Sequence, residues 1–166
     1  MIKLLVLDVD GCLTDGKIIY TSNSTEVKEF NVKDGLAIAS WIRMGHHVAI
    51  ITGRNSFIVK RRADELGIQH LYQGIKDKEK ILRQIVDSLE LEFGEVAAIG
   101  DDLNDYDMLS LVGKSFTPNN GVKDIQSFVD IVLSKNGGEG AVREMIDMII
   151  EENGQKKEFL SLWIKD

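Results

Sequence analysis

The stretch Leu4-Leu5-Val6-Leu7-Asp8-Val9-Asp10-Gly11 runs from unbroken apolar residues into two carboxylates and a glycine. Residues 3 to 9 read as a strand that is apolar on both faces, the pattern of a parallel sheet covered on both sides. The pattern returns at His47 to Ile51 and at Val96 to Ile99, the latter ending in Gly100. Shorter candidates lie at His70 to Tyr72, Lys114 to Phe116 and Ile131 to Leu133. Between these strands, apolar residues recur at helical spacing. The clearest stripes are Ile58, Val59, Ala63 and Leu66, stopped at Gly67, and Ile81, Leu82, Ile85, Val86 and Leu89. Others begin at Leu36 (with Ile38, Ala39 and Ile42), at Met108 (with Leu109 and Val112) and at Val142 (with Met145, Ile146 and Ile149). Strand alternating with helix predicts an α/β fold: a doubly wound, mostly parallel, Rossmann-like sheet.

Residues 17 to 30 break this rhythm. Lys17 to Tyr20 and Glu26 to Phe30 read as strands around the turn Thr21-Ser22-Asn23-Ser24-Thr25. A small β-hairpin is thus inserted straight after the first strand, beside the sheet edge where open α/β folds bind ligands. The chain has no insertion large enough for a cap domain. Residues 1–154 are expected to form one domain and residues 155–166 a separable tail. The tail residues Phe159, Leu160, Leu162 and Trp163 are too apolar for a free end. They are expected to dock on the same or a neighbouring subunit, with the neighbourhood of the active site as one landing place.

The 166 residues are 43% hydrophobic and carry a net charge of -7, which suits a folded domain and speaks against a nucleic-acid binder. The one basic run, Lys60-Arg61-Arg62, is followed at once by Asp64 and Glu65. The apolar run Leu4 to Leu7 is too short for a leader or a membrane span. A single cysteine, Cys12, cannot pair internally, so a reducing cytoplasm is expected. It reads as a small buried filler beside the acid pair. His46, His47 and His70 lack metal-ligand spacing, and Trp41 reads as core or interface.

Four short segments carry chemistry. Asp8 and Asp10 lie one residue apart at a strand end, where their charges repel unless a cation intervenes; magnesium, which prefers a few carboxylates plus phosphate, suits them. The plainer reading is a solvated acidic turn. Gly100-Asp101-Asp102, with Asp105 close behind, follows another buried strand and suggests a second set of oxygen donors. Helix capping accounts for one of these acids, but not for three together with the first pair. Thr52-Gly53-Arg54 places a hydroxyl, a flexible backbone and a guanidinium where an oxyanion would sit, although a loop capping the next helix is the simpler reading of that piece alone. Lys78 offers a fixed cation for a site crowded with carboxylates, although a lone lysine near a helix start is usually surface.

Acid pair, threonine, lysine and acid cluster follow one another in the chain order of the haloacid dehalogenase superfamily, which this sequence resembles over most of its length. The resemblance implies a catalytic set of Asp8, Asp10, Thr52 and Lys78. Asp8 would attack phosphorus to form an aspartyl-phosphate, and Asp10 would protonate the leaving oxygen and then activate water. Thr52 and Lys78 would hold the phosphoryl oxygens. Asp8, the backbone carbonyl of Asp10, and Asp101 would bind Mg2+, with Asp102 supporting that shell.

Four further segments resemble the 3-deoxy-D-manno-octulosonate 8-phosphate phosphatase family: Asn31-Val32-Lys33-Asp34-Gly35, Leu71-Tyr72-Gln73-Gly74, the run from Gly100 to Asp105, and Gly137-Gly138-Glu139-Gly140-Ala141-Val142-Arg143-Glu144. This implies hydrolysis of a small phosphorylated sugar acid in lipopolysaccharide precursor biosynthesis. It also implies a homotetramer in which a neighbouring subunit closes each site. Substrate contacts would fall on Asn31, Val32, Lys33, Asp34, Gly35, Gly53, Arg54, Arg62 and Asn104, together with Lys78. Ala39 departs from members that carry an arginine there. A sister branch acts on nine-carbon ulosonate phosphates, and Arg54 favours the eight-carbon branch because a guanidinium can pair with the sugar carboxylate. Two readings of other classes compete: a phospho-receiver domain, whose acceptor aspartate lies at a later strand, and a non-catalytic scaffold, which usually lacks a nucleophile or metal ligand.

Overall fold

A computed structural model describes residues 1–165; Asp166, the last residue of the expected tail, lies outside the described residues. Its centre is β1 (Leu4–Leu7), four fully buried residues. To one side lie β4 (His47–Ile51) and β5 (His70–Tyr72); to the other lie β6 (Val96–Ile99), β7 (Lys114–Thr117) and β8 (Ile131–Val132). All neighbours pair in parallel, in the order β5-β4-β1-β6-β7-β8. The chain first winds outward through β4 and β5, then returns to β6 on the opposite side of β1. That reversal puts the switch point between β1 and β6, where open α/β sheets bind ligands at the carboxyl ends of their strands.

Side chains alternate across the strands and fill two cores. Leu5, Leu7, Ala97 and Ile99 face one layer, built by α1 (Val32–Arg43), α2 (Phe57–Leu66) and α6 (Ala141–Glu152). Leu4, Val6, Ala98 and Ile51 face the other, built by α3 (Lys78–Ser88), α4 (Tyr106–Leu111) and α5 (Lys123–Gln126). The expected doubly wound sheet without a large cap is the observed fold. Trp41 is fully buried in the first core, as is Cys12. His46 stacks on Trp41 with ring centroids 4.2 Å apart, and His47 opens β4.

Boundaries differ from the sequence reading for local reasons. β1 is shorter than residues 3 to 9 because the chain leaves the sheet at Asp8 into a tight turn over Val9–Leu13. Single bonds, Lys3 N–H to Glu95 and Asp8 N–H to Ile99, extend its pairing at each end. The hairpin keeps only two residues per strand, β2 (Ile19–Tyr20) and β3 (Glu26–Val27), because no layer covers this ribbon. α1 begins at Val32, ahead of Leu36, because the Asn31 side chain accepts the Lys33 N–H at 2.9 Å and caps the helix.

The tail forms a short helix, α7 (Lys156–Ser161), that docks on its own chain. Phe159 is buried in the first core, and the Trp163 indole donates to Ser40 Oγ at 2.9 Å. Arg43 lies 5.3 Å above the Trp163 ring. The landing place is therefore the C-terminal half of α1 and not the acid loops, because that half leaves apolar surface for an amphipathic helix to cover.

Candidate active site

Three strand ends supply the site. Asp8 directly follows β1 and is 5% exposed. Thr52 directly follows β4 and is buried, its N–H bonded to Tyr72 O at 3.0 Å and its carbonyl accepting from Ile75 N–H. Gly100, Asp101 and Asp102 follow β6. Lys78 opens α3 behind these loops; its ammonium donates to Asp8 Oδ1 at 2.7 Å and to Asp105 Oδ1 at 2.6 Å. Asp77 caps α3 by accepting the Lys80 N–H at 3.0 Å, which places Lys78 with its side chain aimed at the sheet.

The first acid loop turns at Gly11, whose φ of 97° lies in the left-handed region. A Cβ there would stand 2.0 Å from Asp101 Oδ2, so the two acid loops touch across a glycine. Behind them runs the Gly137-Gly138 loop. A Cβ on Gly137 would meet Gly11 O at 1.8 Å, and the Gly138 N–H donates to Cys12 O at 3.1 Å. This loop braces the turn that carries Asp8 and Asp10.

Asp8, Asp10, Gly16, Thr52, Gly53, Arg54, Asp101, Asp102 and Asn104 line one open hollow of about 280 Å³. Of the residues expected at the site, Asp8, Asp10, Thr52, Gly53, Arg54, Asp101, Asp102 and Asn104 meet here. The other proposed contacts lie elsewhere. Asn31, Asp34, Gly35 and Arg62 line a second, small cavity between α1 and α2, with Val32 beside Arg62 on the adjoining surface. Lys33 is exposed. Asp34 is 1% exposed; its Oδ1 accepts the Arg143 N–H at 2.8 Å and so caps α6, whose own N-cap is Gly140. The Arg62 guanidinium packs directly on Gly35, where a Cβ would meet its Nη2 at 2.2 Å.

Negative charge is concentrated and incompletely matched. Burial, then the Asp105 carboxylate, push Asp8 up to about 8, against the pull of Lys78. Burial, then Asp105 and Asp102, push Asp101 up to about 6. Burial lowers Lys78, but Asp8 and Asp105 outweigh it and hold the ammonium charged. Oxygens of Asp8 and Asp101 and the sulfur of Cys12 all lie within 4.8 Å of one another. Burial and the neighbouring carboxylates push the Cys12 thiol well up, so it stays neutral and leaves ligation to oxygen. This donor set fits a hard divalent cation, which would discharge the two carboxylates.

Two groups escaped the sequence reading of roles. Asp105 is fully buried: it accepts from Lys78, from Asp101 N–H at 3.0 Å and from Asp102 N–H at 3.4 Å, so it anchors the second acid loop. Asp102 is exposed and caps the following turn through the Leu103 N–H at 2.7 Å. Lys28, next to β3, donates to Asp10 Oδ1 at 2.5 Å. Arg54 is tied to the same hairpin by Tyr20 Oη at 3.2 Å and Glu26 at 3.6 Å. The offset of Asp105 from Asp101 was a usable signal; Lys28 had none, because nothing local fixes which way a two-rung ribbon folds.

A doubly wound sheet with acid loops after its first and fourth parallel strands in chain order, and a lysine between them, defines the class of haloacid dehalogenase-like hydrolases. The model for that family matches residues 71–146. A 3-deoxy-D-manno-octulosonate 8-phosphate phosphatase from Yersinia pestis is 44% identical over 114 residues, which cover 69% of this chain and 61% of that relative. The chain thus matches under two thirds of that relative's length. A solved phosphatase of the same name from Moraxella catarrhalis, in complex with magnesium, phosphate and KDO, is 41% identical with a TM-score of 0.92, covering 97% of this chain and 93% of that one. A cobalt-bound counterpart from Haemophilus influenzae is 38% identical with a TM-score of 0.88, covering 92% of this chain and 90% of that one. The chain belongs to the haloacid dehalogenase-like hydrolases and, within them, to the 3-deoxy-D-manno-octulosonate 8-phosphate phosphatase family.

Proposed function

We propose that this chain is a magnesium-dependent phosphatase that hydrolyses 3-deoxy-D-manno-octulosonate 8-phosphate to the free sugar acid and phosphate, a step in lipopolysaccharide precursor biosynthesis. The observation that carries the reading is the placement of Asp8: a buried carboxylate at the switch point, held by Lys78 at 2.7 Å and facing an open hollow. Asp8 attacks phosphorus and becomes an aspartyl-phosphate. Asp10 gives a proton to the leaving sugar oxygen and then takes one from the attacking water. The Thr52 hydroxyl and the Lys78 ammonium hold the phosphoryl oxygens. Asp8, Asp101 and the carbonyl of Asp10 would hold Mg2+, with Asp102 supporting them. Bound magnesium neutralises phosphoryl and carboxylate charge in the transition state.

Gly53, Arg54 and Asn104 line the same hollow and would meet the sugar, with Arg54 facing its carboxylate. Val32, Lys33 and Arg62 lie outside their own chain's hollow, and Val32 and the neighbouring Phe57 are 77% and 82% exposed. The exposure of Val32 and Lys33 beside Arg62 supports a homotetramer in which this face serves at a subunit boundary. The unpaired, buried Cys12 supports a cytoplasmic setting. Among the described residues no helix is long and apolar enough to cross a membrane.

Phosphate release from eight-carbon and nine-carbon ulosonate phosphates and from hexose phosphates, with and without magnesium, tests this reading. Preference for the eight-carbon acid is expected. Preference for the nine-carbon acid would move the chain to the sister branch. No magnesium-dependent release from any of them would return it to the receiver or scaffold readings.

A further inference from the structure

Lys28 projects from a ribbon that is open to solvent, yet its side chain is 1% exposed. Its ammonium donates to Asp10 Oδ1 at 2.5 Å and stands 3.2 Å from Glu26 Oε1. Glu26 in turn faces Arg54 at 3.6 Å. Sequestering an ammonium is costly, and holding a hairpin down needs no charge, since an apolar side chain would do it as well. The cost therefore points to a requirement at Asp10. Among the described residues, Lys28 is the one side chain bonded to the Asp10 carboxylate. It bonds Oδ1 of a carboxylate whose residue lines the hollow.

We propose that Lys28 is a positioning residue: it locks the Asp10 carboxyl so that its second oxygen meets the leaving oxygen of the phosphate ester. The inference rests on the phosphatase reading above. In the step it serves, a bond forms between an Asp8 oxygen and phosphorus, the phosphorus bond to the sugar oxygen breaks, and the proton on Asp10 passes to that oxygen. An alkoxide leaving group needs that proton; a nitrophenolate, already a stable anion, needs it far less.

The test compares kcat/KM of the wild type and Lys28→Met on the sugar phosphate and on 4-nitrophenyl phosphate, both with magnesium. The expected loss is about tenfold or more larger on the sugar phosphate, with Lys28→Arg restoring much of it. If Lys28→Met does not fold, as judged by melting temperature, the same comparison is read from Lys28→Gln. An equal loss on both esters, or none on either, would overturn the proposal, since a hairpin that merely came loose would penalise both alike. Failure of the wild type to hydrolyse any ester with magnesium would instead remove the phosphatase reading itself.

Discussion

Gly11 and Asp101 share one space: a Cβ on the first would lie 2.0 Å from a carboxylate oxygen of the second. The contact joins the turn carrying Asp8 and Asp10 to the loop after β6. It sets how near the Asp8 and Asp101 oxygens can come, and therefore whether one cation can reach both. Gly11→Ala adds the clashing atom at a φ of 97°, where a side chain is already strained. A displaced acid loop should lower kcat/KM by about a hundredfold, as expected for an ångström-scale misplacement. A magnesium titration of activity should also shift to higher concentration.

Asp105 is the second half of the Lys78 clamp and touches none of the hollow's surface. Asp105→Ala leaves a buried ammonium with one carboxylate and frees the N–H groups of Asp101 and Asp102. Breaking one arm of a buried charge network costs about 3–5 kcal/mol. Urea unfolding should show that loss. Turnover should fall too, because the same side chain holds the Asp101 loop.

Much of this was legible in the sequence, and the division is physical. Buried parallel strands have no solvated face, so β1, β4 and β6 announce themselves as apolar runs, and an acid or threonine at each end marks the functional edge. Lys78 and Asp101 fell into place because chain order and sheet topology together bring those ends to one point. Helix starts were harder. Asn31 to Gly35, expected as substrate contacts, also hold helix starts: Asn31 caps α1 and Asp34 caps α6 from across the interface. Capping across elements leaves no local spacing to read. Lys28 was illegible for a related reason: the twist of a short ribbon, and not its sequence pattern, decides what its side chains meet.

Asp34 gives a stability signature separate from catalysis. Burial raises it from 3.8 to about 6, with the Arg143 N–H and the Arg62 charge opposing. The folded state thus favours the protonated form. Its contribution is fully present below about pH 4 and is lost as pH rises through 6. The full shift is worth about 3 kcal/mol. Asp34→Asn keeps the acceptor for Arg143 and removes the buried charge. It should be more stable than the wild type at pH 7.5, by up to about 3 kcal/mol, with the difference closing by pH 4. Denaturant unfolding across that range checks it, and unchanged turnover would place Asp34 with the fold rather than the substrate.

The tail offers a control on the site's boundaries. Phe159 fills the first core and lines none of the hollow's surface. Phe159→Ala should cost about 3–5 kcal/mol of stability, as large-to-small core changes do. Its kcat/KM at a temperature where the variant is folded should stay within about threefold of the wild type, for want of any contact with the reacting groups.

In the proposed reaction Asp8 carries the phosphoryl group. The direct measurement is acid quench of the enzyme during turnover of 3-deoxy-D-manno-octulosonate 8-phosphate with magnesium, followed by peptide mass analysis. A phosphorylated peptide containing Asp8 is the expected result. It should be absent without magnesium and absent in Asp8→Asn, which should fold normally and release almost no phosphate. Near-normal phosphate release by Asp8→Asn, or a phosphoryl group found on another residue, would rule out Asp8 as the nucleophile.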